Sequence, residues 1–282
     1  MAVTACSFSQ GYNLEQIQAG EAFDASITNE LVRRFSDDGW VYLPAVISRG
    51  EAFALRSAVE RKYLDPIVRS DEGGDHIRGV GLMRMFEYSL AFRELIVREP
   101  LIGLVESLLG NDCHVISQNA LRTPTGNGIV DWHIDGELLL PLLSNLPRNG
   151  AAWNPPCFSL SVMIPLTGVD EPEYGPTQIV PRTHLSGRIP TAADSPNFEG
   201  EGPKTLFAKA GDAYLINHQV WHRGMQNLSD RTRYMAVTAY GRRFIQQRFY
   251  PFLNYAMPEH VLTGASEKLL RLLGKHQKGP FG

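Results

Sequence analysis

The alternation of apolar and polar positions changes character at Gly110. Before it, apolar residues recur at helical spacing. Leu31, Val32 and Phe35 mark the inner face of a helix that begins near Ile27 and is closed by Asp37-Asp38-Gly39. Trp40-Val41-Tyr42-Leu43-Pro44 then reads as a short strand and 50–64 as a second helix. A third helix is expected over 92–109, with Leu95, Ile96, Leu101, Ile102, Val105 and Leu109 on its apolar side. Residues 1–25 read as an irregular leader. After Gly110 the period shortens. Strand-like runs at 113–122, 128–135, 157–166, 176–181, 204–208, 212–217 and 231–240 alternate with Gly, Pro and Asn punctuation. Loops connect them, which disfavours parallel βαβ winding. An antiparallel barrel or sandwich with helices packed outside is expected. Residues 136–156 form a Leu-, Pro- and Asn-rich insertion of the length that lids and binding loops have. A closing helix over 258–274 carries Leu262, Leu269, Leu270, Leu272 and Leu273.

Composition narrows the function classes. A chain of 282 residues buries a large core unaided, and a formal charge of −3 argues against general nucleic-acid binding. Cys6, Cys113 and Cys157 show no CxxC pairing and form no disulfide framework. Residues 1–16 lack a basic segment followed by an apolar stretch, so no signal peptide is expected. No apolar run approaches the ~20 residues of a membrane span. The expectation is a cytoplasmic protein with no membrane or nucleic-acid partner.

The chemistry concentrates in Val130-Asp131-Trp132-His133-Ile134-Asp135-Gly136. On a strand, positions i and i+2 share a face, so His133 and Asp135 can point together into a barrel. One imidazole and one carboxylate are two arms of the facial triad of non-haem Fe(II) oxygenases. A His-x-Asp alone is a common chance pairing and equally suits structural hydrogen bonds. The third ligand is sought in Gly211 to Gly224, which reads as strand, tight connection and new strand carrying His222. His218 and His222 have the spacing of a helical zinc pair, but Gln219 stands where a metalloprotease needs Glu. His222 is therefore the expected ligand, and His218 a hydrogen-bonding neighbour. Downstream, Arg231 and Arg233 lie two apart on a run that alternates as a strand. A planar guanidinium suits the far carboxylate of a dicarboxylate co-substrate, although an exposed ion pair is the ordinary use of such residues.

Four segments together resemble the phytanoyl-CoA hydroxylase-like family of Fe(II)/2-oxoglutarate oxygenases. They are Phe35-x-x-Asp38-Gly39-Trp40-Val41-x-Leu43-Pro44, Trp132 to Gly136, Gly175 to His184, and His222-Arg223-Gly224 through Asn227, Ser229 and Arg233. The resemblance covers about 27–245. It implies a mainly β chain with flanking helices around a double-stranded β-helix (jelly-roll, cupin-like) core. One domain over 1–282 is then expected, with a helical part at 26–110, the core at 111–245 and the C-terminal helix after it. It implies Fe(II) on His133, Asp135 and His222, with 2-oxoglutarate and O2 as co-substrates. The family's oxoglutarate-binding Arg lies eleven positions after the distal His, which is Arg233 here, with Arg231 in reserve. Gln118 and Thr177 are expected to touch the co-substrate as well. The family's Pro-Gly-Ser-His turn appears as Pro181-Arg182-Thr183-His184, with His184 structural.

The implied activity is oxidation, by default hydroxylation, of a small molecule with release of succinate and CO2, as in natural-product tailoring. Asp135 argues against a halogenase. Two rivals are a non-catalytic jelly-roll binding protein, which would show a degraded triad, and a cupin-type isomerase or hydrolase, which would draw two His from one early motif. Candidate pocket residues are Met83, Met85, Phe86, Trp153 with its 136–156 insertion, Arg182, Arg242, Arg243 and Phe244.

Overall fold

The computed structural model describes residues 20–66, 81–141, 155–191, 196–249 and 252–277. The expected leader, apart from its last residues, and most of the 136–156 insertion, including Trp153, lie outside them. Helix α1 (Ala25–Asp38) is capped by the Asp24 side chain, which accepts from the Ile27 N–H, and ends on Gly39 at φ 82°. Strand β1 (Trp40–Leu43) follows, then α2 (Arg49–Leu64), opened by a reciprocal Ser48–Glu51 capping box.

Three short helices occupy the region of the expected third helix. The first, α3 (Met85–Tyr88), follows a two-residue strand β2 (Gly81–Leu82) and precedes the expected 92–109 span; the other two, α4 (Leu90–Ile96) and α5 (Leu101–Leu109), divide that span. Pro100 separates α4 from α5, because its ring and missing N–H exclude the preceding helical turn. The closing helix is likewise split, into α6 (Glu259–Leu262) and α7 (Glu267–Leu272), with Ser266 capping the second. Gly264, at φ 73°, turns the chain between them. No helix among the described residues is long and apolar enough to cross a membrane.

The remaining strands are β3 (His114–Thr123), β4 (Ile129–His133), β5 (Ser159–Pro165), β6 (Thr177–Val180), β7 (Lys204–Leu206), β8 (Ala213–Asn217), β9 (Trp221–Gly224) and β10 (Arg233–Gly241). They form a six-stranded sheet, β1-β8-β5-β10-β3-β2, and a four-stranded sheet, β4-β9-β6-β7. All pairings within them are antiparallel.

Period-2 alternation sorts the larger sheet's two faces. Leu160, Val162 and Ile164 on β5, with Tyr234, Ala236 and Tyr240 on β10, pack against the helices. Met163, Met235 and Tyr214 turn the other way and meet Ile179 and Leu206 of the smaller sheet. The two sheets therefore face each other, as a jelly-roll requires. Within the larger sheet one bulge breaks the alternation: Ala239 pairs with Ser117 but Tyr240 with Val115, leaving Ile116 as the extra residue.

Gly39 fixes how the helical layer meets the barrel. A Cβ there would lie 2.4 Å from Val220 Cγ2 and 2.5 Å from His184 Nδ1. Gly39→Ala should lower stability by about 2–4 kcal/mol, from overpacking and the left-handed backbone together. Urea unfolding measures it; an unchanged midpoint would show that the corner yields.

Candidate metal centre

The centre is built on strand pairing. His133 ends β4 and lies directly opposite His222 in β9. Their ring centroids are 4.3 Å apart. On its other side His222 pairs with Ile179 of β6, so the distal ligand is held from both edges. Asp135 falls just beyond β4, so strand alternation alone does not aim it. Its backbone N–H donates to the His218 carbonyl at 2.9 Å, which ties it to the turn between β8 and β9. Ligand atoms of His133, Asp135 and His222 all lie within 4.8 Å of one another.

Each ligand imidazole is oriented by its own backbone. His133 Nδ1 lies 2.8 Å from the Asp131 carbonyl, and His222 Nδ1 lies 2.9 Å from that of Val220. A carbonyl only accepts, so both Nδ1 atoms carry a proton, and in the neutral rings the Nε2 lone pairs are the ones left for a metal. Burial opposes charge on the Asp135 carboxyl. The facing His222, His218 and His133 outweigh it and hold the group well below the usual carboxylate range. Burial, with His222 beside it, lowers His133. Burial also works against protonated His222, but Asp135 outweighs it and raises the group.

His218 has the supporting place that the sequence suggests. It is buried, and burial pushes its imidazole down to about 4. Its Nε2 lies 2.9 Å from Ser161 Oγ, which donates to Asp135 Oδ2 at 3.2 Å. The neutral ring thus donates to Ser161, and Ser161 to the carboxylate. Ser161 had no motif to reveal it. His184 bonds the Ser36 carbonyl at 3.0 Å, outside the centre.

A cavity of about 490 Å³ opens beside the triad, between the sheets. Arg233, the first residue of β10, reaches it from a buried position. Its Nη1 donates to the Met225 carbonyl at 3.4 Å and its Nη2 to Thr123 Oγ1 at 3.3 Å. No carboxylate among the described residues pairs with it, and burial lowers its pKa despite opposition from Tyr214. Glycines make room for this guanidinium. A Cβ on Gly175 would lie 2.9 Å from Nη1, and one on Gly224 would lie 3.4 Å from Nη2. Thr177 lines the same cavity, with Oγ1 3.1 Å from the Tyr214 hydroxyl.

Other expected contacts fall elsewhere. Gln118 faces the helices: its Nε2 donates to the Phe92 carbonyl at 2.8 Å, while Ser117 and Asn119 face the cavity. Strand parity after the Ile116 bulge decides this. Arg231 precedes β10, so it does not share a strand face with Arg233. Its Nη2 donates to the Gly168 carbonyl at 2.6 Å and its guanidinium covers the Tyr174 ring. Of the proposed pocket residues, Met83 lines the cavity, while Met85 and Phe86 are buried in the helical core. Arg182 pairs with Glu199, Arg242 donates to the Cys157 carbonyl and Arg243 to that of Gln277. Phe244 is exposed, edge-on to Phe158. Sequence reading gave no role to two cavity residues, Arg223, which lies inside the His222-Arg223-Gly224 segment, and Arg248, which belongs to no motif.

The residues fit a divalent metal and a dicarboxylate. The donor set is two open imidazole nitrogens and an ionised carboxylate, the pattern of the 2-His-1-carboxylate iron sites. A buried cation without a counter-ion is costly unless an anion joins it.

Among curated relatives, the chain is 29% identical over 171 residues to an ectoine dioxygenase of Stutzerimonas stutzeri, covering 57% of this chain and 52% of that protein. It therefore spans about half the length of that relative. It is 24% identical over 249 residues to dioxygenase af480 of Aspergillus fumigatus, covering 84% of this chain and 74% of that one. Among solved structures it resembles HygX from Streptomyces hygroscopicus with iron bound, with TM-score 0.58, 18% identity, and 77% and 88% of the two chains covered. It also resembles the epimerase SnoN in complex with Fe3+, alpha ketoglutarate and nogalamycin RO, with TM-score 0.60, 19% identity, and 78% and 85% covered. These likenesses establish the jelly-roll fold. Residues 35–235 match the phytanoyl-CoA dioxygenase (PhyH) family, and the chain belongs to it.

Proposed function

We propose that this protein is an Fe(II)- and 2-oxoglutarate-dependent dioxygenase that oxidises a small molecule, by default by hydroxylation. The observation that carries the reading is the shared cavity of the His133–Asp135–His222 cluster and the buried Arg233, which no carboxylate among the described residues pairs with. His133 Nε2, His222 Nε2 and an Asp135 oxygen would hold the iron from one side. When bound, iron supplies activation of O2, coupled to decarboxylation of 2-oxoglutarate to succinate and CO2.

The chain's own residues do the rest. Arg233 neutralises the far carboxylate of the co-substrate and sets its direction in the barrel. Thr177, fixed against Tyr214, offers a hydroxyl along the way. Ser161 and His218 hold Asp135 Oδ2, which fixes the carboxylate plane. Met163, Met235 and Val237 line the wall with apolar surface and limit water.

The relatives' names, two of them tied to ectoine and nogalamycin, support natural-product tailoring as the setting. The formal charge of −3 and the open cavity between the sheets support a free small molecule as substrate, met in the cytoplasm. Helices from both ends share one hydrophobic cluster with the larger sheet, which supports reading the chain as one oxygenase unit.

Three substitutions test the ligands. His133→Ala, Asp135→Ala and His222→Ala should each weaken iron binding at least about tenfold and abolish succinate formation. His218→Ala should retain the metal, since it removes a neighbour of Asp135 and not a ligand. Iron content of the purified variants decides this; a metal-free His218→Ala beside a loaded His222→Ala would reverse the assignment.

Arg233→Ala should weaken 2-oxoglutarate binding by about 2–4 kcal/mol, the loss of a buried charge-assisted contact. Gly175→Ala should weaken it in the same direction by crowding Nη1. Arg231→Ala, whose guanidinium lies outside the cavity, should change it by less than about 1 kcal/mol. Calorimetric titration of 2-oxoglutarate into the metal-loaded variants gives all three values. An Arg231→Ala loss exceeding that of Arg233→Ala would transfer the role.

A further inference from the structure

The cavity holds more positive charge than the proposed chemistry uses. Its lining carries Arg223, Arg233 and Arg248 against one carboxylate, Asp135. Divalent iron and dianionic 2-oxoglutarate cancel each other, so three guanidinium groups face one carboxylate and the lining stays net positive. Arg233 is assigned to the co-substrate. Arg223 is engaged: its Nε donates to Gln178 Oε1 at 2.8 Å, and its guanidinium lies 4.8 Å from the Trp132 ring centroid.

Arg248 differs from both. Its backbone N–H donates to the Ile116 carbonyl at 2.7 Å, which fixes its root. The residue is exposed at the mouth of the cavity, and its guanidinium makes no hydrogen bond or ion pair with another described residue. Nη1 lies 3.3 Å from where a Cβ on Gly136 would stand, beside the residue that follows Asp135.

Its end of the cavity is not that of Arg233. Ile116 adjoins Ser117, which pairs with Ala239, and Ala239 pairs in turn with Ser161, the residue that holds Asp135. Arg233 opens the same strand six positions before Ala239, which is about 20 Å of strand. Arg248 therefore stands on the Asp135 side of the centre and Arg233 on the far side. Apolar residues run along the wall, Leu121, Met163, Met235 and Val237, and Phe252 and Met83 add to it.

We propose that the primary substrate is an organic acid whose carboxylate is held by Arg248, with its apolar body against this wall. A guanidinium fork receives a carboxylate bidentately and so fixes which carbon faces the metal. The proposal rests on the oxygenase reading and deepens it by naming the substrate class.

The test uses the full chain loaded with nickel and 2-oxoglutarate, titrated calorimetrically with hexanoate, 4-phenylbutyrate and N-acetylleucine, each compared with its primary amide. In the wild type at least one acid should bind about tenfold or more tighter than its amide. Arg248→Gln should erase that preference, and Arg248→Lys should keep part of it. The absence of an acid preference on all three scaffolds overturns the proposal, as does a preference that survives Arg248→Gln. Loss of 2-oxoglutarate affinity in Arg248→Gln as large as the loss of acid affinity would assign the guanidinium to the co-substrate and also overturn it. A wild-type protein that binds no 2-oxoglutarate defeats the oxygenase reading itself, a result separable from all of these.

Discussion

Strand β9 is paired on both edges, with β4 through His133 and with β6 through Ile179, and His222 belongs to both pairs. The two candidate ligand histidines therefore owe their separation to ladder hydrogen bonds and not to side-chain packing. A slip of one residue in this register would turn His222 to the opposite face and dissolve the cluster. The third ligand is fixed by the same neighbourhood, since the Asp135 N–H is received by His218, four residues before His222. Everything that stabilises the smaller sheet thus stabilises the geometry of the centre.

The larger sheet contributes differently. Its helix-facing residues are apolar and closely packed, and this rigid layer carries the cavity wall on its reverse. The same strand, β10, supplies Tyr234, Ala236 and Tyr240 to the core and Arg233, Met235 and Val237 to the cavity. An arginine can be kept buried there because its hydrogen bonds to Met225 and Thr123 fix the fork, while the surrounding fold meets the cost of desolvating it. A buried guanidinium with no carboxylate partner among the described residues costs stability, a pattern common where strain and function coincide.

Much of this was legible in the sequence because it rests on short-range order. Alternation identified the strands after Gly110 and Gly39 marked the end of α1, whereas the choice of Arg233 came from the family resemblance and not from local pattern. Three features were not legible. Pro100 divides a run whose apolar period continues across it, so periodicity overrode the breaker. The Ile116 bulge reverses parity on β3, which moved Gln118 to the helical face and Asn119 to the cavity. Arg248 lies after the last strand, and a tertiary contact with Ile116 alone brings it to the centre. Local pattern encodes neither bulges nor such long-range backbone contacts.

Gln219 carries a mechanical consequence. Its Nε2 donates to the Glu137 carbonyl at 3.0 Å, and its Oε1 accepts from the Leu139 N–H at 2.9 Å. The chain leaving Asp135 is therefore clamped within four residues, by the residue that follows His218. A pull arriving from beyond Leu139 is borne by the amide of Gln219 before it reaches the ligand carboxylate. The arrangement works as a strain relief does on a cable, and it holds Asp135 against displacement of the chain that follows it.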